Sequence, residues 1–122
     1  INRPPLYAEA LHVNTSYLTA VANDFSYDDI FARMVEAAGR AGDVLVGIST
    51  SGNSKNIVAA INKARQIGMK TIGMTGMSGG EMKNLCDCLL NVPSKDTPRI
   101  QESHIMIGHI ICEDVEKELF TR

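Results

Sequence analysis

Apolar positions recur with a helical period in some stretches of the chain and form short unbroken runs in others. Ile30, Phe31, Met34, Val35 and Ala38 fall every three or four residues behind Ser26-Tyr27-Asp28-Asp29. There Ser26 fits an N-cap with Asp29 three residues on, and Gly39 and Gly42 stop the helix. Asp43 is followed by the run Val44-Leu45-Val46-Gly47-Ile48, whose length and β-branched content predict a strand buried on both faces. A helix is expected from about Ser54, with Ile57, Val58, Ile61, Ala64 and Ile67 on its inner face, closed by Gly68. A second strand is expected over 70–74, a short helix over 81–85 and a third core strand over 87–92. From Arg99 to Phe120, Ile100, His104, Ile107, Ile111, Val115 and Leu119 recur at helical spacing. The apolar set of that helix is wider than one surface stripe. It predicts burial on two sides, one of them by its own sheet. Before residue 26 the signals are weaker: 6–12 fits a short strand after Pro4-Pro5, and 14–25 fits a turn with one or two helical turns.

Strand, helix, strand, helix, strand from 44 to 92 predicts an α/β fold with a parallel sheet covered by helices. Right-handed crossovers bring the strand C-termini to one edge, where ligands sit in open sheets. The loop 49–54 and the turn 75–80 are therefore expected side by side.

Length and composition narrow the function. The 122 residues are room for one domain, spanning 1–122. A formal net charge of -2 with no run of Lys or Arg argues against nucleic acid as the main partner. No apolar stretch reaches the ~18 residues of a membrane span. Cys86, Cys88 and Cys112 lack zinc-knuckle spacing and read as buried small hydrophobes in a reducing cytosol. Ile1-Asn2-Arg3-Pro4-Pro5 is neither a signal peptide nor an initiator start, and reads as the middle of a longer protein.

The candidate chemistry lies in Ser49-Thr50-Ser51-Gly52-Asn53-Ser54. Four hydroxyls, a glycine that admits a ligand close to the backbone, and a helix N-terminus make a phosphate site. The loop is neither a Walker A motif nor a dinucleotide fingerprint. Without Lys or Arg in it, a sugar monophosphate suits it better than a magnesium-bound triphosphate. A plain polar turn with Ser54 as N-cap accounts for the same residues.

ISTSGNS (48–54) after an apolar strand resembles the phosphate loop of the SIS (sugar isomerase) domain. The likeness to bacterial phosphoheptose isomerases extends over 19–64, 71–82 and 97–119, through the NDF, ISTSGNS and RIQE segments and the histidines after them. The resemblance implies a three-layer αβα sandwich of flavodoxin- or Rossmann-like type. It also implies a cytoplasmic homotetramer with active sites shared between subunits. The implied reaction interconverts sedoheptulose 7-phosphate and a glycero-manno-heptose 7-phosphate through an enediol, for lipopolysaccharide or other surface glycans. By the same resemblance Ser49, Thr50, Ser51 and Ser54 take the phosphate, Asn23 and Asp24 contact substrate, and Gln101 lies at the catalytic centre. His109 is then the catalytic residue, and Gln101 and His109 are ligands of a Zn2+ ion. The family's upstream helix-strand-helix segment precedes everything in this sequence. That segment carries a Gly-Asn-Gly-Gly-Ser loop, a further His and the Glu that serves as base.

Read from position alone, His109 is a core or interface histidine. His104, five residues earlier, points elsewhere and reads as structural or as a subunit contact. Gln101 and His109 are eight residues apart, about 12 Å along a helix, so one metal does not easily take both from one helix. A non-catalytic member of the same fold, a scaffold that binds a replication initiator or a sugar-phosphate sensor, is the alternative function.

Overall fold

The computed structural model describes residues 2–120. Its elements are α1 (Thr15–Asp24), a 3-10 turn (Tyr27–Asp29), α2 (Ile30–Ala38), β1 (Val44–Ile48), α3 (Lys55–Ile67), β2 (Lys70–Thr75), a 3-10 turn (Glu81–Asn84), β3 (Cys88–Asn91) and α4 (Thr97–Phe120). The strands form one parallel sheet in the order β1-β2-β3. Val44 faces Lys70 and Ile48 faces Met74, while Ile72 faces Cys88 and Thr75 faces Asn91. Parallel strands flanked by helices are what the residue pattern predicted.

One face of the sheet holds the core. α3 lies across β1 where Gly47 leaves room: a Cβ there would stand 3.0 Å from Ile57 Cγ2 and 3.1 Å from Ile61 Cδ1. Val58 and Ile61 pack with Met82 of the second 3-10 turn, and Leu89 lies against them. On the outer side of α3, Ala60 and Ala64 pack with Val35 of α2 and with Met69. Full burial of a valine, isoleucine or methionine among these contributes about 1.5–3 kcal/mol. At the far end of the sheet Asp87 accepts from both the Thr71 N–H (2.8 Å) and the Thr71 hydroxyl (3.1 Å), joining the starts of β2 and β3. These hydrogen bonds hold the Asp87 carboxyl below its usual pKa of 3.8.

Several expectations are corrected. β1 is not buried on both faces: Val44, Val46 and Ile48 are 56%, 45% and 53% exposed. β1 is an edge strand, and no described helix lies over that face of it. Residues 6–12 form no strand. Ahead of it, the Arg3 guanidinium pairs with Glu116 of α4 at 2.7 Å and lies over the Phe120 ring. The stretch 14–25 holds a ten-residue helix, Thr15–Asp24, which the Asn14 side chain caps by accepting from the Tyr17 N–H. Ser26 does not cap α2; its hydroxyl donates to the Asp29 carboxylate. Cys88 and Cys112 are exposed, and Cys86, which precedes β3, is half-buried. Burial pushes the Cys86 thiol up from its ordinary pKa. α4 is buried within the chain only at Ile100 and His104, while Ile105, Met106, Ile110, Val115 and Leu119 are exposed. Burial of α4 by its own sheet thus stops within its first turns. No helix of the described residues is long and apolar enough to cross a membrane.

Candidate phosphate site

The chain leaves β1 at Ile48 and reaches α3 at Lys55 through six residues that bond to one another. The Ser49 N–H continues the β1–β2 ladder by donating to the Met74 carbonyl at 3.0 Å. Ser49 is buried, and its hydroxyl lies 2.8 Å from that of Ser54 and 3.4 Å from that of Ser51. Ser51 Oγ accepts from the Asn53 N–H at 3.1 Å. Ser54 therefore turns its hydroxyl to Ser49 and makes no side-chain cap on α3. The plain N-cap reading of this residue fails, and the hydroxyls of Ser49, Ser51 and Ser54 converge.

A second turn braces the loop from the side, as the common strand edge predicted. The Gly76 N–H donates to the Thr50 carbonyl (2.9 Å), the Met82 N–H to the Gly52 carbonyl (3.1 Å) and the Glu81 N–H to Asn53 Oδ1 (2.8 Å). Contact is close enough to demand glycine on both sides. Gly52 sits at φ +70°, and a Cβ there would stand 2.1 Å from the Gly79 carbonyl oxygen; Gly80 sits at φ +53°, and its Cβ would meet the Ser51 carbonyl at 2.4 Å. The left-handed backbone alone costs a substituted residue about 1–2 kcal/mol, and the overlap adds to it. Gly52→Ala is accordingly expected to lose at least that much stability in denaturant unfolding and to weaken phosphate binding. An unchanged unfolding midpoint would show that the two turns are not locked together.

Beside the loop opens a cleft of about 570 Å³ lined by Thr50, Ser51, Ser78, Ser94, Lys95 and Thr97, with Met77 and Ile100 as apolar wall. Five of the lining residues carry a hydroxyl and one an ammonium group, donors of the kind that hold an anion. Lys95 is the one charged residue of the lining. Sequence reasoning named no site residue between the third strand and the last helix and so missed Ser94, Lys95 and Thr97. The available signal was topological, since the segment leaves β3 at the same edge of the sheet as the serine loop.

The other expected site residues lie apart. Asn23 and Asp24 are exposed at the end of α1, where the Asn23 amide donates to the Asp24 carboxylate at 2.9 Å; neither lines the cleft. Gln101 is exposed in the first turns of α4, next to the Ile100 that walls the cleft. His109 is exposed further along α4, about 12 Å from Gln101 on the axis. His104 is buried, as its structural reading required, and its Nε2 lies 3.0 Å from the Thr75 carbonyl. The zinc that the resemblance implies finds no ligand set here: among the described residues no three His, Cys, Asp or Glu side chains come together. Gln101 and His109 of one copy do not converge on a common point.

Known proteins match this chain along its length. A family model described as SIS domain matches residues 1–76. A phosphoheptose isomerase of Clostridium acetobutylicum is 63% identical over 120 residues, covering 98% of this chain and 61% of the relative. The solved phosphoheptose isomerase of Francisella tularensis superposes with a TM-score of 0.89 at 43% identity, over 91% of this chain and 60% of that one. The structure of the Neisseria gonorrhoeae phosphoheptose isomerase gives 0.86 at 48% identity, over 88% and 61%. The chain thus spans about three fifths of the length of these relatives. The serine loop after β1, the parallel sheet that presents it and the matched family model together place the chain in the SIS domain family.

Proposed function

We propose that the chain forms the phosphate-gripping part of a phosphoheptose isomerase, interconverting sedoheptulose 7-phosphate and a glycero-manno-heptose 7-phosphate for lipopolysaccharide or other surface glycans. The observation that carries this reading is the convergence of the Ser49, Ser51 and Ser54 hydroxyls beside the cleft. The name shared by the relatives supplies the reaction class. The phosphate oxygens accept from these hydroxyls, from Thr50 and from the first N–H groups of α3, and the Lys95 ammonium offsets part of the dianion's charge. So held, the sugar has its reacting end free to reach other groups.

Isomerisation needs a base that removes a proton from the hydroxymethyl carbon and an acid that protonates the neighbouring carbonyl oxygen, giving the enediol. The enediol hydroxyl on the first carbon then gives up its proton, and the second carbon receives one. No external oxidant or reductant is required. His109 is proposed to serve the oxygens, with Gln101, Asn23 and Asp24 orienting the sugar. The base is the Glu that the resemblance places upstream. Because His109 lies on an exposed stretch of α4 away from the serine loop, the working site is proposed to assemble between subunits of a cytoplasmic homotetramer. The exposed apolar residues of α4 would meet there. No part of this reading depends on zinc.

The decisive experiment incubates full-length protein with sedoheptulose 7-phosphate, with and without added zinc, and follows formation of the aldose phosphate. Conversion by a tetramer supports the reading. Binding without turnover favours a scaffold or sensor, and a stable monomer in light scattering counts against the shared site.

A further inference from the structure

Within α4 only Ile100 and His104 are fully buried by the rest of the chain, and Ile107 and Ile111 are half-buried. His104 is 6% exposed, and its Nε2 stands 3.0 Å from the Thr75 carbonyl oxygen. A carbonyl only accepts, so Nε2 carries the proton. The same oxygen also accepts from the Val92 N–H at 2.9 Å, so it has a partner without the histidine. The other ring nitrogen, Nδ1, is buried with no hydrogen-bond partner among the described residues. An orphaned buried polar atom is costly. A side chain kept for packing alone would do better here as methionine or leucine, which fill similar space and leave no nitrogen unmet. The imidazole therefore has a use other than stability.

Its place in the fold indicates that use. Thr75 ends β2, and the next residue, Gly76, donates to the Thr50 carbonyl of the serine loop at 2.9 Å. His104 thus links α4 to the loop through two consecutive backbone groups. Gln101 lies one turn before His104 on the same helix, and His109 lies five residues after it. Ile100 and His104 are the two α4 residues wholly buried against the body, while Arg3 holds the far end at Glu116; they bear on how the start of the helix is rotated about its axis, and any rotation there swings both Gln101 and His109. We propose that His104 is a positioning residue: its Nε2–H bond to Thr75 fixes the phase of α4 so that Gln101 and His109 are aimed relative to the phosphate held by the serine loop. The proposal rests on the isomerase reading above and adds to it a residue that touches neither phosphate nor reacting carbons.

The test compares His104→Met and His104→Gln with the wild type in the full-length protein. It measures kcat, inhibition by inorganic phosphate and thermal unfolding. Misaiming by about an ångström costs on the order of 10²-fold in rate. The methionine variant is therefore expected to lose about 10–100-fold in kcat. Its phosphate inhibition should stay at the wild-type level and its Tm should be equal or higher. Glutamine, whose amide N–H can reach the same carbonyl, is expected to recover most of the rate. A methionine variant with wild-type kcat overturns the proposal while the isomerase reading stands. So does a joint fall of Tm, phosphate affinity and rate, which is the pattern of a merely structural residue. A glutamine variant as slow as the methionine one removes the hydrogen bond as the cause. A wild type that never isomerises the sugar overturns the isomerase reading and the proposal with it.

Discussion

Alanine at Ser49, Ser51 and Ser54 together is expected to lower affinity for sedoheptulose 7-phosphate by at least about 10³-fold in calorimetry, from hydrogen bonds to a charged group that contribute roughly 1.5–3 kcal/mol each. The low end is the better expectation, because the three hydroxyls already bond to one another within the loop, and part of each gain repeats what is present without ligand. The backbone of the loop should persist. It is held by the Gly52 N–H on the Ser49 carbonyl, the Gly76 N–H on Thr50 and the Met82 N–H on Gly52, none of which uses a serine hydroxyl. Unchanged circular dichroism with lost affinity is therefore the expected pair of results. Wild-type affinity in the triple variant would dismiss the phosphate assignment.

His109→Asn separates catalysis from grip. His109 is exposed on α4, so the exchange leaves the packing of the domain untouched. The phosphate loop opens a different helix, so binding should weaken only a few-fold. Turnover of sedoheptulose 7-phosphate should fall by about 10²–10⁴, the usual contribution of a positioned acid or base. An asparagine variant with wild-type turnover would leave the enzyme standing and remove His109 from it.

Much of this was legible in the sequence, and the gaps have physical reasons. The unit from Val44 to Gly68 could be read because strand, loop and helix are each specified by neighbours in the chain. The serine loop was legible for the same reason, down to the turn that lies beside it. The open face of β1 was not. A run such as Val-Leu-Val-Gly-Ile is compatible with burial on either or both faces, and only the surrounding elements decide. α1 was underestimated because Thr15, Ser16 and Thr19 suggested a turn, whereas the Asn14 cap made a helix of them. Lys95 joined the cleft through the path of the chain after β3, which no local pattern records. The spacing of His104 announced burial but neither its carbonyl partner nor its unmet nitrogen.

The uncovered edge of β1 also bears on how the molecule must be handled. A strand with free main-chain donors and acceptors along one side, and with Val44, Val46 and Ile48 facing solvent, is a template on which another chain can add a strand. Prepared as the bare 122-residue polypeptide, the domain has colloidal behaviour to contend with before its chemistry can be measured. Concentration, and with it the choice of expression boundaries, decides whether assays sample the native fold or edge-to-edge aggregates. A single lysine at position 46, pointing outward from that face, is the mildest way to keep such a preparation dispersed without touching the serine loop.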